Sequence, residues 1–280
     1  MQFDKDENLI VCVGGMGVYG VKPSGEVFKV TDETSRTWTK LNDDSRVRMA
    51  DDLDIAPDGK IYFSDCTTRY EAATYPLEVV EGRPNGRVLC HDPATGKTHK
   101  LIKSFYFPNG MCVSHDGRSV LIASTTACRI YRYWLAGPKA GITEVLVDEI
   151  PGHPDNINRA SDGNYWLALV GVRTPCFDLS MEKAAFRRRM AKQVPTDEWL
   201  GPNLNYGCVV KFDEAGTVLE SYWDPTGISH ASVTSIREHK GYLYLGGLEN
   251  NRIGRIRLDP AQSDPTWTGF EAYWGNKRRV

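Results

Sequence analysis

The chain has 280 residues, 41% hydrophobic and 25% charged, with a formal net charge of −2. Such a balance, without a long basic run, argues against nucleic acid as the main partner. No apolar run approaches the roughly 20 residues that span a bilayer, and the opening Met1-Gln2-Phe3-Asp4-Lys5-Asp6 is acidic where a signal peptide would be basic and then apolar.

Along the chain a polar turn followed by an apolar run recurs. A degenerate copy opens it at Glu7-Asn8-Leu9-Ile10-Val11-Cys12. Clearer copies begin at Asp58-Gly59-Lys60-Ile61, Asp116-Gly117-Arg118-Ser119, Asp162-Gly163-Asn164-Tyr165 and Lys240-Gly241-Tyr242-Leu243. Each is followed by a second short strand, such as Gly86-Arg87-Val88-Leu89-Cys90 or Gly207-Cys208-Val209-Val210. Pro57-Asp58-Gly59 and Pro93-Ala94-Thr95-Gly96 are hairpin signals. A period of roughly 45–60 residues with several strands per copy predicts an all-β propeller, in one domain over residues 1–280.

One segment breaks the pattern. Residues 178–192 hold helix formers, no Gly or Pro, and apolar residues three and four apart. This predicts a short helical insertion, either a lid or flank over the channel mouth or simple packing against a blade edge. Its Arg187-Arg188-Arg189 reads as a solvated helix face or as a polyanion site.

Seven cysteines include Cys12, Cys90, Cys112 and Cys208 within apolar strands, and none forms a Cys-x-x-Cys pair. That pattern fits small core residues in a reducing, cytoplasmic setting.

In a propeller the innermost strand of each blade lines the channel. Here it should precede each Gly-led strand. Those positions hold Asp51-Asp52-Leu53-Asp54, Phe107-Pro108-Asn109-Gly110, His153-Pro154-Asp155-Asn156 and Ser229-His230-Ala231-Ser232-Val233-Thr234. Taken singly, each is a turn or strand cap. Recurring at one place in successive repeats, they would aim oxygens at a common point. Asp51, Asn109, Asp155 and Asn156 are hard donors suited to Ca²⁺, or to Mg²⁺ or Mn²⁺. His230 reads as a general base, as a group that hydrogen-bonds substrate, or as a polar residue in the channel wall. His153 reads as structural or substrate-shaping.

Several strings resemble the superfamily of gluconolactonases, the senescence marker protein (regucalcin), the luciferin-regenerating enzyme and the strictosidine synthase-like proteins. They are Ala50-Asp51-Asp52-Leu53-Asp54, Phe107-Pro108-Asn109-Gly110 and Pro154-Asp155-Asn156-Ile157. Arg132-Tyr133-Trp134-Leu135 with Gly137-Pro138-Lys139 points to the strictosidine synthase-like branch. The resemblance runs from about residue 8 to 260. It implies a six-bladed propeller with one divalent cation, usually calcium, held by residues matching Asp51, Asn109, Asp155 and Asn156. Members hydrolyse lactones, aryl esters or organophosphates.

Three departures follow from that comparison. The family's opening blade supplies a glutamate ligand with no counterpart here. The chain therefore reads as about five blades, the first missing or completed by another segment, with exposed strand edges through which it would dimerise. Ser124 stands where relatives often carry a glutamate, and is expected to face substrate. Finally, the last-blade glutamate of alkaloid condensation is absent from Ser232-Val233-Thr234-Ser235, which argues against that reaction.

The resulting expectation is a calcium-dependent hydrolase of small lactones or esters, with water activated by Asp155 or His230 and substrate contacted by His153, Ser124 and His230. The alternative is a non-catalytic propeller that binds a sugar acid, a lactone or a protein partner.

Overall fold

Short apolar runs bounded by tight turns can pair only with their neighbours, so successive strands build antiparallel meanders. The computed structural model describes residues 1–35, 45–195, 198, 205–248 and 250–269. These residues form five sheets. The first is β1 (Gln2–Phe3), β2 (Leu9–Val13), β3 (Gly17–Val21) and β4 (Val27–Thr31). The second is β5 (Ala50–Ile55), β6 (Ile61–Asp65), β7 (Gly86–Asp92) and β8 (Lys97–Phe105). The third is β9 (Pro108–Val113), β10 (Ser119–Ser124), β11 (Arg129–Trp134) and β12 (Thr143–Val147). The fourth is β13 (Gly152–Arg159), β14 (Tyr165–Val172), β15 (Gly207–Phe212) and β16 (Val218–Asp224). The fifth is β17 (Val233–His239), β18 (Tyr242–Gly247) and β19 (Gly254–Arg257).

This is a five-bladed β-propeller, all-β with few helices. Strands β5, β9, β13 and β17 lie just before the Gly-led strands, as the sequence predicts, and pack one against the next. The described residues do not bear out the expectation of a six-bladed ring with its first blade missing. The degenerate copy near Leu9 is β2 of a four-stranded sheet.

Each blade is sandwiched between neighbours, so its middle strands bury both faces and lose the simple polar-apolar alternation. Strands β6 and β10 are buried at every position. Phe63 and Leu89 meet Val18 between the first two blades. Tyr165, Phe212 and Leu121 fill the space between the third and fourth. A fully buried side chain of this size contributes about 1.5–3 kcal/mol.

The inner strands are also tied by polar groups. Met111 N donates to Asp52 Oδ2 at 3.0 Å and Val113 N to Asp54 Oδ2 at 2.8 Å, joining β9 to β5. Arg159 on β13 pairs with Asp54 and donates to the Val113 carbonyl at 2.7 Å. Arg237 on β17 donates to Asn158 Oδ1 at 3.1 Å and to Gln2 Oε1 at 3.0 Å, linking the fifth blade to the first.

The predicted helical insertion is two helices, α2 (Pro175–Glu182) and α3 (Ala184–Gln193), set between β14 and β15; the shorter α1 (Pro76–Glu81) lies between β6 and β7. Thr174 caps α2 by accepting from Phe177 N at 3.2 Å, and Pro175 opens it. Lys183 is extended (φ −110°, ψ 91°) and separates α2 from α3.

Candidate functional site

A regular strand would point Asp51 and Asp52 to opposite faces. In the propeller the inner strands are irregular at one recurrent place. Ala50 pairs with Asp65 and Leu53 with Phe63, so β5 carries one extra residue at Asp51-Asp52. Pro108 pairs with Ser124 and Met111 with Ile122, which puts the same bulge at Asn109-Gly110. Pro154 pairs with Leu169 and Ile157 with Leu167, placing it at Asp155-Asn156. On β17 the shift falls at Thr234. A bulge re-aims a side chain at the cost of one ladder bond, and here four successive inner strands spend it on the residues that face one another.

The result is a cavity of about 250 Å³ whose lining includes Asp51, Asn109, Asp155, Asn156 and Thr234. All four predicted oxygen donors are brought together there. No residue of the first sheet lines it. Its upper wall is apolar and comes partly from the helices: Val79 of α1, Phe177 of α2, Tyr75, Phe107, Met49 and Leu248. Of the insertion, Phe177 of α2 contributes to the cavity wall. Phe107 holds φ at 41°, unusual for a bulky residue, directly before β9.

The polar groups are under electrostatic tension. Burial, with Asp51 and Asp52 nearby, pushes the Asp155 carboxyl well above the ordinary range, offset by a hydrogen bond from the Asn109 side chain. That leaves Asn109 Oδ1 buried with no partner. Asp51 opens into the cavity, yet the walls desolvate it enough to raise its pKa to about 6, against a hydrogen bond from the Cys66 thiol. That thiol lies 3.3 Å from Asp51 Oδ2 and 2.9 Å from the Pro108 carbonyl. Burial pushes its own pKa up, so it remains a neutral donor. Two desolvated carboxylates and an orphaned amide oxygen are what a hard divalent cation would satisfy. The set is half amide, and among the described residues no three His, Cys, Asp or Glu side chains are grouped as metal ligands.

His153 also lines the cavity. Its Nδ1 donates to the Thr125 carbonyl at 3.4 Å, leaving Nε2 as the basic nitrogen. Its ring meets Phe177 edge-on at 4.4 Å. Burial lowers its pKa to about 4, so it is neutral at physiological pH.

Two expected residues lie elsewhere. His230 lines a different cleft, between the fourth and fifth blades, with Asp224, Tyr222 and Arg252. The backbone N–H groups of Ser229 and His230 donate to Asp224 Oδ2 at 2.7 and 2.9 Å, which holds the turn below β17 away from the channel. Ser124 is fully buried and its hydroxyl donates to the Tyr106 carbonyl. The next two residues, Thr125 and Thr126, line the cavity instead. Sequence reasoning passed over these threonines and Thr234, although Thr234 falls at the same place in its repeat as Asn109.

A propeller with oxygen donors at one channel mouth defines the class, and comparison with known proteins gives the family. The strictosidine synthase family model matches residues 51–138. The adipocyte plasma membrane-associated protein of Rattus norvegicus is 33% identical over 257 residues, covering 89% of this chain and 67% of the relative. Strictosidine synthase-like protein 13 of Arabidopsis thaliana is 36% identical over 184 residues, covering 65% and 45%. The chain belongs to this family of strictosidine synthase-like, adipocyte plasma membrane-associated proteins. It spans about three fifths of the length of several relatives, 60% for that of Salmo salar. Among solved structures, a gluconolactonase from Xanthomonas campestris has a TM-score of 0.57 at 15% identity, over 88% of this chain and 67% of that one. The calcium-binding protein regucalcin from Agrobacterium tumefaciens has a TM-score of 0.55 at 14% identity, over 89% and 67%. These last two show the shared fold.

Proposed function

We propose that the cavity is the active site of a divalent-cation-dependent hydrolase of small lactones or esters. The observation that carries this reading is the orphaned Asn109 Oδ1 beside the raised carboxylates of Asp51 and Asp155. With Asn156 they would hold the cation, calcium by preference for an all-oxygen set. Bound there, the cation would supply positive charge to polarise a carbonyl and to steady the negative charge that develops on it. The solved propellers with this fold, a gluconolactonase and a calcium-binding protein by their descriptions, support the proposal as analogies.

The chain's own residues do the rest. His153, neutral and held in one tautomer by the Thr125 carbonyl, takes the proton from an attacking water. Phe177 braces its ring. Val79, Phe107 and Leu248 exclude bulk water and contact the non-polar body of the substrate. In this reading His153 is the base in place of the two expected candidates: Asp155 would be taken up in holding the cation, and His230 lines another cleft.

The test is turnover of a panel of aryl esters and small lactones with calcium and with chelator. Chelation should abolish turnover. His153→Gln should lower it by about 10²–10⁴-fold, the usual worth of a general base, while leaving calcium binding intact. Full activity in chelator, or in Asn109→Ala, would sink the proposal.

A further inference from the structure

His230 has no part in the central cavity, yet its surroundings are not those of a satisfied core histidine. The residue is 7% accessible, and both ring nitrogens are buried without a hydrogen bond. The Leu245 backbone lies near the ring but satisfies neither nitrogen. Buried polar atoms cost their full desolvation unless a partner reaches them. Gly254 keeps one edge of the ring uncovered: a Cβ there would stand 3.2 Å from Nδ1 and 3.3 Å from Cε1.

The ring borders a cleft of about 490 Å³ between the fourth and fifth blades, within the roughly 300–1,000 Å³ of small-molecule sites. It opens where the fifth blade has three strands among the described residues and the other blades have four. The cleft shares no lining residue with the central cavity.

Much of the lining is apolar, from Val209, Leu245, Tyr222 and Ile256. The charge is one-sided. Arg252 and Arg255 also line the cleft, are exposed, and have no acid partner among the described residues. Arg252 donates to the Ile228 carbonyl at 3.2 Å, and Arg255 lies over the Tyr242 ring. Asp224, the acid among the described lining residues, already accepts from the N–H groups of Thr226, Ser229 and His230 and from the Thr226 hydroxyl. Burial and Arg252 lower the His230 pKa, so the ring is neutral with one N–H to donate.

A cationic ligand would find its acceptor already spent. An anion would meet a guanidinium fork and an imidazole N–H, with apolar walls behind them. We propose that this cleft binds a small monocarboxylate with an apolar body. Its carboxylate is held by Arg252 and the His230 ring, and its body lies against Tyr222, Leu245 and Ile256.

The test is titration calorimetry on the full chain in chelator, so that no cation in the central cavity can hold a carboxylate. The probes are 3-phenylpropionate and octanoate, with acetate lacking the body and 3-phenylpropanol lacking the charge. Binding of either long acid supports the proposal, and the tighter of the two tells an aryl body from an alkyl one. Acetate and the alcohol should bind far more weakly. Arg252→Ala should weaken binding by about tenfold or more, the worth of a charged hydrogen bond. His230→Phe keeps a ring but removes the N–H; it should also weaken binding, while melting no lower than wild type. Gly254→Val fills the space beside the ring and should abolish binding, whereas Asn109→Ala should leave it unchanged. Thermal melts show that each variant is folded, and Arg252→Ala, at an exposed side chain, decides the matter even where Gly254→Val does not fold. No binding of either long acid, equal binding of acetate or the alcohol, or binding that survives Arg252→Ala but not Asn109→Ala would overturn the proposal.

Discussion

Gly110 on β9 lies against the backbone of Asp155 on β13, so closely that a Cβ built at Gly110 would sit 2.3 Å from the Asp155 carbonyl oxygen and 2.7 Å from Asn156 Cα. The two bulges that carry the oxygen donors are thus in direct backbone contact, and only glycine fits between them. Gly110→Ala must push β9 and β13 apart. Overpacking of this kind costs about 1–3 kcal/mol, and at roughly 2–4 °C per kcal/mol the melting temperature should fall by several degrees. Because the shift separates Asn109 from Asp155, any stabilisation by calcium should fall as well. A melt identical to wild type, with and without calcium, would show that the blades do not approach as closely as described.

The donor set itself is tested by metal titration. A ligand that binds only the folded state stabilises it by about 2.7 kcal/mol at a hundredfold excess over its dissociation constant. Calcium should therefore raise the melting temperature of wild type, and chelator should reverse the rise. Asn109→Ala removes the orphaned Oδ1, and Asp155→Asn removes one of the two desolvated carboxylates. Both variants should lose the calcium response. In chelator, Asp155→Asn should melt no lower than wild type, since burying this carboxylate without a cation is costly. A calcium response that survives both substitutions would move the site elsewhere.

The division between what was readable and what was not follows the physics. Strand starts were legible because turn chemistry and apolar runs are local. So was the position of the inner strands, which made Asp51, Asn109, Asp155 and Asn156 recognisable as a set. The bulges that bring them together were not, because each is defined by pairing with a strand across the sheet. The same limit explains Ser124 and Thr125, neighbours in sequence of which only the second lines the cavity. His230 sits three residues before β17, and the turn bound to Asp224 carries it into another cleft. Arg187 could not be told from Arg188 until the helix gave each a direction.

Arg187 caps the carbonyl ends of two helices at once, Glu81 of α1 and Ser180 and Met181 at the end of α2. Charged hydrogen bonds of this kind are worth about 1.5–3 kcal/mol. Few other groups join α1 to α3, so the loss should be local. Arg187→Ala should speed amide exchange and proteolysis within residues 76–82 and 175–193, while the melt of the propeller moves little. Arg187→Lys keeps the charge but loses the planar fork, and should rescue only in part. Unchanged exchange in both helices would show that they are held by their apolar contacts alone.

Two histidines far from the cavity contribute to the response to acid, alongside His153 and His230, whose pKa values burial also lowers. His91 is buried and its Nδ1 lies 3.0 Å from Thr98 Oγ1, which in turn meets Thr31 Oγ1 at 2.7 Å across the first two blades. His115 donates from Nε2 to the Asn164 carbonyl at 2.9 Å, joining the third blade to the fourth. Burial lowers both pKa values; for His115 the backbone carbonyl opposes this and Arg159 adds to it. A histidine depressed in the folded state binds its proton more readily when unfolded. Its contribution is therefore complete above the unfolded pKa of about 6.5 and is lost as pH falls through the folded value. Asp51 works in the opposite sense: raised to about 6, it adds stability as acid protonates it. Comparing wild type with His91→Gln and His115→Gln removes that shared term. Between neutral pH and about pH 5, each variant should lose less stability than wild type in thermal melts. Parallel pH profiles for all three proteins would mean that neither ring is held neutral by the fold.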